Sequence, residues 1–511
     1  KVLAKDPLKE NGLPEAAMLD VILPRAKTAR EAIELLAKVI EEKGSAEGNT
    51  VVVADQKETW YMEILSGHQY VAVKVPEDKY AVFANTYYLG HVNLNDKENV
   101  IASKDVEKVA KEAGNYKTDK DGNFHIAKSY GPDKYAEGDR SRTYAGITLL
   151  DPKSKITYED DEYELFRKPT DPNKKFTVED AIALQRNRFE HLNGRFIPDD
   201  QIGVKKHGDN GANDKVRKDQ YKYALGNENV IDAHIYQINP NLPKSFGGTL
   251  WLGMGPSRNT PYVPFYGNIK DTYKAFKPQT DTYDPNSWYW TVWHIDQMAI
   301  KNQDIFGKTV QNHWKALEQQ EIIEQKARDT KYAALKGNDQ AAKAVEEEIT
   351  KEALARSESL FAHFKNYEAQ MQAQLVAAGR KDDPYRASLP DNYKDPSTPA
   401  TPEKEIEKPV PNKEPEKVPQ TTVAGAEGNP NNRFGYVGTK EQSTTIQVFE
   451  KPIQYGEAPQ VPSQVPQTTV VGVEGNPNNR FGYEANKENA SAFKNASTYT
   501  NTNYSFSQYG K

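Results

Sequence analysis

Asn85 and Arg142 are side chains of types that could hold a developing negative charge or a carboxylate. Asn85 closes the apolar run Tyr80–Ala84 and precedes Thr86-Tyr87-Tyr88. An amide delivered at a strand end can donate to an oxyanion, and it can equally serve as a turn residue. Arg142 lies in Ser141-Arg142-Thr143-Tyr144-Ala145-Gly146, after a hydrophilic stretch and before the apolar Ile147–Leu150. A fixed guanidinium can grip a substrate carboxylate through two parallel hydrogen bonds, which lysine cannot do. A surface ion pair is the competing reading. Glu63, in Trp60-Tyr61-Met62-Glu63-Ile64, reads as a packed structural carboxylate on a strand. His234, between Ala233 and Ile235, reads as a core histidine with a satisfied hydrogen bond.

Other chemistries find little support. Asp119-Lys120-Asp121-Gly122 resembles part of a calcium loop, but Lys117 and Lys128 occupy its first and last ligand positions. Gly253-Met254-Gly255 lacks a third glycine in register for a dinucleotide loop. Neither His-Glu-x-x-His nor Gly-x-Ser-x-Gly occurs, which disfavours a zinc peptidase or a serine hydrolase. The expectation is therefore a site with no metal and no cofactor.

The elements that must position these residues begin with a helix. Thr28-Ala29-Arg30-Glu31 is a capping box, Ala32, Ile33, Leu35, Leu36, Val39 and Ile40 form one apolar face, and Gly44 supplies the stop. Four short β-rich runs follow: Thr50–Asp55, Thr59–Leu65, Gln69–Val75 and Tyr80–Ala84. Turn residues separate them, so they read as an antiparallel meander carrying Asn85 at its end. The helix should lie on that meander. Residues 104–140 are charged and turn-rich and read as a surface excursion. Phe176–His191 reads as a helix opening at Thr177. Strands return at Ile231–Gln237 and Gly248–Met254. Trp288–Leu317 reads as a buried helix pair, and Glu318–Ala378 as strongly helical, packing an outer layer or projecting from the domain.

The 511 residues carry 67 basic and 73 acidic side chains, for a net charge of −6. That balance offers no basic face for nucleic acid. No apolar run is long enough for a transmembrane helix. Hydrophobic content is only 37%, as expected when a polar tail dilutes a normal core. Composition changes near Asp382. From there to Pro466, proline recurs with Glu and Lys, and such a segment cannot bury enough apolar surface to offset its ordering entropy. Val418–Tyr436 recurs as Val465–Tyr483 with two of nineteen positions changed. The unit is either a duplicated stalk or a ligand motif presented twice, with Arg433-Phe434 and Arg480-Phe481 as anchors.

Several segments together resemble the bacterial cysteine-type dipeptidases of the N-terminal-nucleophile hydrolase superfamily. They are Gly44–Asn85, Ser141–Tyr144, Phe176–Asp180, Asp232–Gln237, Gly247–Gly255 and Tyr262–Tyr266, in the family's order and over residues 1–385. The resemblance implies an α+β fold over 1–385, an αββα four-layer sandwich incomplete at its N-terminus; composition adds a disordered Pro-rich tail over 386–511 that holds the repeats 418–436 and 465–483. The resemblance implies a dipeptide or short-peptide substrate. It also makes Asn85 an oxyanion-hole donor and Arg142 an active-site and substrate-binding residue. In such enzymes a terminal cysteine is the nucleophile, and this sequence has none. The expectation is that the segment bearing it is absent from this chain. The alternative is a catalytically inactive surface display or adhesion protein on the same scaffold. The tail points to a secreted or cell-surface protein that could attach to the cell envelope. A cytoplasmic location and homo-oligomerisation stay open.

Overall fold

A computed structural model describes residues 2–192, 224–227, 230–278, 283–306, 308–380 and 468–474. Helix α1 (Ala29–Lys43) starts at Thr28, whose hydroxyl accepts from the Glu31 N–H at 3.1 Å. The return bond differs from a capping box: the Glu31 carboxylate accepts from the Lys27 N–H at 2.8 Å, one residue before the cap. Gly44 ends the helix at φ +78°, a conformation that a side chain would strain.

Strands β1 (Asn49–Ala54), β2 (Thr59–Ile64), β3 (Tyr70–Lys74) and β4 (Val100–Ala102) form an antiparallel sheet in that order. Alternation sorts the side chains of β2. Trp60, Met62 and Ile64 join Ile33, Leu36 and Ile40 of α1 in one core. Tyr61 joins Val71, Val73, Tyr87, Tyr88 and Leu89 on the other face. Glu63 shares the second face with Tyr61, and its register partners are Thr50 and Val71.

Two expectations need correction here. Tyr80–Ala84 is not the fourth strand of the meander. Only Tyr80–Ala81 is strand, and it pairs with Phe166–Arg167. Val100–Ala102 takes the place beside β3. Residues 104–140 are not a surface excursion either. Val106–Glu112 and Ile126–Tyr130 are short helices, and Val106, Ala110, Phe124 and Ile126 are buried under the sheet. Their charged residues occupy the outer faces of short helices, so a count of charge hides the apolar stripe.

Helix α2 (Glu137–Leu150) follows, then α3 (Val178–Arg186). Helix α3 opens with a complete capping box between Thr177 and Asp180 and ends at Arg186, short of His191. The second sheet contains β5 (Asp232–Ile238), β6 (Thr249–Met254) and β7 (Val263–Tyr266), antiparallel. Helices α4 (Trp288–Lys301), α5 (Thr309–Ala333) and α6 (Glu346–Ala377) enclose a core of Trp288, Val292, Ile295, Met298, Trp314, Tyr332, Phe364 and Tyr367. Arg186 ties α3 to α5: its Nη1 donates to Glu318 Oε2 at 2.7 Å and its Nη2 to Oε1 at 2.5 Å. The two sheets' segments meet at Gln56, whose amide donates to the backbone oxygens of Asn239 at 3.2 Å and Leu242 at 2.9 Å.

Strand β8 (Thr468–Glu474) pairs antiparallel with β5 along its whole length. It belongs to the second repeat, so the reading of 386–511 as a tail without regular structure fails over these seven residues. The first repeat and the rest of 381–511 lie outside the described residues.

Candidate active site

After Ala81 the chain leaves its strand partner and turns back toward the first sheet. Within this turn the Ala84 N–H donates to the Tyr88 hydroxyl at 3.1 Å, and the Thr86 N–H to the Ala84 carbonyl at 2.9 Å. Asn85 sits between them, half-buried. Its own N–H donates to Asp139 Oδ1 at 3.1 Å, which fixes the backbone of the turn to α2.

Arg142 stands one helical turn beyond Asp139, so both side chains share a face of α2. Its Nη1 donates to Asn85 Oδ1 at 2.6 Å, its Nη2 to Asp139 Oδ1 at 2.8 Å and its Nε to the Gly138 carbonyl at 3.0 Å. The structure thus brings together Asn85 and Arg142, 57 residues apart in sequence. Both partners in the ion pair are largely shielded, with side-chain exposures of 16% for Arg142 and 6% for Asp139. Burial pushes the Asp139 carboxyl above the ordinary carboxylate range, against the opposing pull of the Arg142 guanidinium. Gly146 lets α2 approach this closely. A Cβ there would lie 2.5 Å from Val82 Cγ1.

A guanidinium has donors only. The Asn85 amide must therefore turn its oxygen toward Arg142, and its Nδ2 becomes the end left for a ligand. That is the polarity an oxyanion donor needs.

A second group of polar side chains lies behind the turn. Tyr88 bridges to α2 through a 2.5 Å contact between its hydroxyl and Thr143 Oγ1. Glu63 is fully buried on β2 and accepts from the Tyr61 hydroxyl at 2.7 Å, the Tyr88 N–H at 2.5 Å and the Leu89 N–H at 3.1 Å. Burial pushes its carboxyl up to about 7, although the three hydrogen bonds favour the anion. The expectation of a packed carboxylate holds for Glu63.

His234 differs from expectation. It lies on β5, but its side chain is 26% exposed and its Nδ1 faces Asp232 Oδ1 at 3.2 Å, so it is not a core histidine. Asp119 uses its carboxylate to accept the N–H groups of Asp121 and Asn123, both at 2.9 Å, which closes a turn. Sequence reading missed Asp139. The Asp-x-x-Arg spacing could have found it, given a helix in place of the expected excursion. Tyr88 and Thr143 carry no local signal of their pairing.

Residues 1–316 match Peptidase family C69. A probable dipeptidase B of Streptococcus pyogenes serotype M1 is 49% identical over 366 residues, covering 72% of this chain and 71% of that protein. A probable dipeptidase of Latilactobacillus sakei is 30% identical over 389 residues, covering 74% of each. A probable dipeptidase of Salmonella dublin is 29% identical over 274 residues, covering 52% of this chain and 58% of that protein.

Proposed function

This chain belongs to Peptidase family C69, and we propose on that premise that it serves a cysteine-type dipeptidase whose thiol nucleophile is not among these 511 residues. The names of its relatives support dipeptide hydrolysis. The sequence itself holds no cysteine, so the proposed thiol belongs to a segment other than these residues. A four-layer αββα N-terminal-nucleophile sandwich within residues 1–385 is supported by two antiparallel sheets with helices packed against them. The observation that carries the site assignment is the bond from Arg142 Nη1 to Asn85 Oδ1 at 2.6 Å, which leaves the amide N–H groups as donors.

In this reading the cysteine thiolate adds to the peptide carbonyl carbon, and the free α-amino group of the same cysteine takes the thiol proton. The carbonyl oxygen becomes an oxyanion, and Asn85 Nδ2 donates to it. The intermediate collapses with that proton passing to the leaving amine, and the C-terminal amino acid departs. Water then cleaves the thioester. Arg142 holds the amide in orientation, and its charge favours the substrate carboxylate nearby. Residues 386–511, apart from strand β8, serve as a tether to the cell surface.

A second reading is a surface display protein without catalysis. The repeated nineteen-residue unit in a proline-rich region favours it. One experiment separates the two. The purified 511-residue chain is expected to release no amino acid from dipeptides, whereas the full-length protein releases it and loses the activity on thiol alkylation. A full-length protein that is inactive on a broad dipeptide panel supports display instead.

A further inference from the structure

Glu63 is a fully buried carboxyl that the proposed chemistry does not use. It lies at the centre of the first sheet, on the face that meets the Asn85 turn. Its Oε1 collects three donors, two of them backbone N–H groups of Tyr88 and Leu89. Its Oε2 is buried and has no hydrogen-bond partner among the described residues. Burying a carboxylate with one oxygen unpartnered costs stability, and an apolar side chain would fit a purely packing role better.

What Glu63 holds gives that cost a function. Tyr88 N–H is anchored on Glu63, while the Tyr88 hydroxyl accepts from Ala84 N–H and meets Thr143 on α2. Ala84 and Thr143 are the immediate neighbours of Asn85 and Arg142. One side chain, Tyr88, therefore fixes the spacing between the two halves of the candidate site, and Glu63 fixes Tyr88.

We propose that Glu63 is a positioning residue for the Asn85 donor, holding the Tyr88–Leu89 backbone so that Tyr88 keeps the Asn85 turn and α2 in register. This rests on the dipeptidase reading above only for its kinetic consequence. The titratable groups around Glu63 are phenols: Tyr61 on its own strand, Tyr87 and Tyr88 on the turn, and Tyr135 before α2. The phenols of Tyr61, Tyr87 and Tyr88 are raised by burial and stay neutral in the range where Glu63 ionises. Above neutrality Glu63 is an anion and its three hydrogen bonds are charge-assisted and stronger. Below it the carboxyl is neutral and the hold on the turn relaxes.

The test has two arms. In the 511-residue chain labelled with 15N at asparagine, the Asn85 side-chain amide resonance, identified by its loss in Asn85→Ala, is followed from pH 5.5 to 8.5. It is expected to move with a midpoint near 7, to stay fixed in Glu63→Gln, and to move at higher pH in Tyr61→Phe, which removes one hydrogen bond to the anion. In the full-length enzyme, Glu63→Gln is expected to lower kcat about ten- to a hundredfold through misplacement of the donor, with KM within about twofold. The neutral limb of its pH profile should be lost. An Asn85 resonance that does not titrate in the parent chain, or that titrates unchanged in Glu63→Gln, overturns the proposal. So does a Glu63→Gln enzyme with normal kcat and an unaltered pH profile. A parent full-length protein without hydrolysis counts against the dipeptidase reading alone, and the resonance arm then decides the role of Glu63.

Discussion

Arg142 donates to the Asn85 side-chain oxygen at 2.6 Å and to Asp139 at 2.8 Å, while Asp139 accepts from the Asn85 backbone at 3.1 Å. The three residues close a ring in which Asn85 is held twice, once by its amide oxygen and once by its main chain. Its amide orientation is therefore fixed, and on the dipeptidase reading such preorganisation would make Nδ2 an effective donor in a transition state.

Asn85→Ala in the full-length enzyme should lower kcat about a hundred- to a thousandfold, the usual effect of losing one oxyanion donor. KM should change little, because the donor acts on charge that develops late. Thermal unfolding should show only a modest drop. Near-normal kcat together with a large loss of stability would make Asn85 a turn residue.

Arg142→Lys should disable the same donor indirectly. Arginine reaches Gly138, Asp139 and Asn85 with three different nitrogens, and an ammonium cannot reproduce that fork. The double variant with Asn85→Ala should then be little worse than Asn85→Ala alone. A coupling of about 1–2 kcal/mol between the two sites is expected from a double-mutant cycle on kcat/KM. Strict additivity would show that Arg142 acts independently of Asn85.

The contribution of Glu63 to stability should fall as pH rises from about 4.5 to about 7. Burial raises Glu63 from 4.5 in its ordinary state to about 7 in the fold. The folded chain thus holds this proton more tightly than the unfolded chain. That contribution is complete below pH 4.5 and is lost as pH rises to about 7, a difference on the order of 3 kcal/mol. Denaturant titrations of the parent and Glu63→Gln at pH 5 and pH 8 test this. The stability of the parent relative to the variant should be lower at pH 8 than at pH 5.

Gly146→Val should destabilise the chain by about 1–3 kcal/mol, the cost of overpacking. Even a Cβ at that position would meet Val82 Cγ1 at 2.5 Å and Leu184 Cδ1 at 3.2 Å. The helix must then move away from the Asn85 turn, so kcat should fall in step with the midpoint of unfolding. Pairing with Val82→Ala should restore much of both. No recovery in the pair would place the strain elsewhere.

Local chemistry in the sequence was enough to place α1, β1, β2, β3, β5 and β6. Each is set by a short-range rule: a threonine cap, a glycine stop, or alternation over a few residues. The same rules placed Asn85 and Arg142 as candidates only with help from resemblance, since neither residue type announces a site. Their contact spans 57 residues and depends on how closely α2 meets the turn, which Gly146 decides. Tertiary structure also decided what short-range patterns hid. Glu63 became a fully buried carboxyl because both faces of β2 are covered. Residues 104–140 looked like surface because their charges outnumber an apolar stripe that only packing reveals. Strand β8 found β5 across more than 200 residues of chain, a pairing that rests on the open edge of a sheet and not on any local signal.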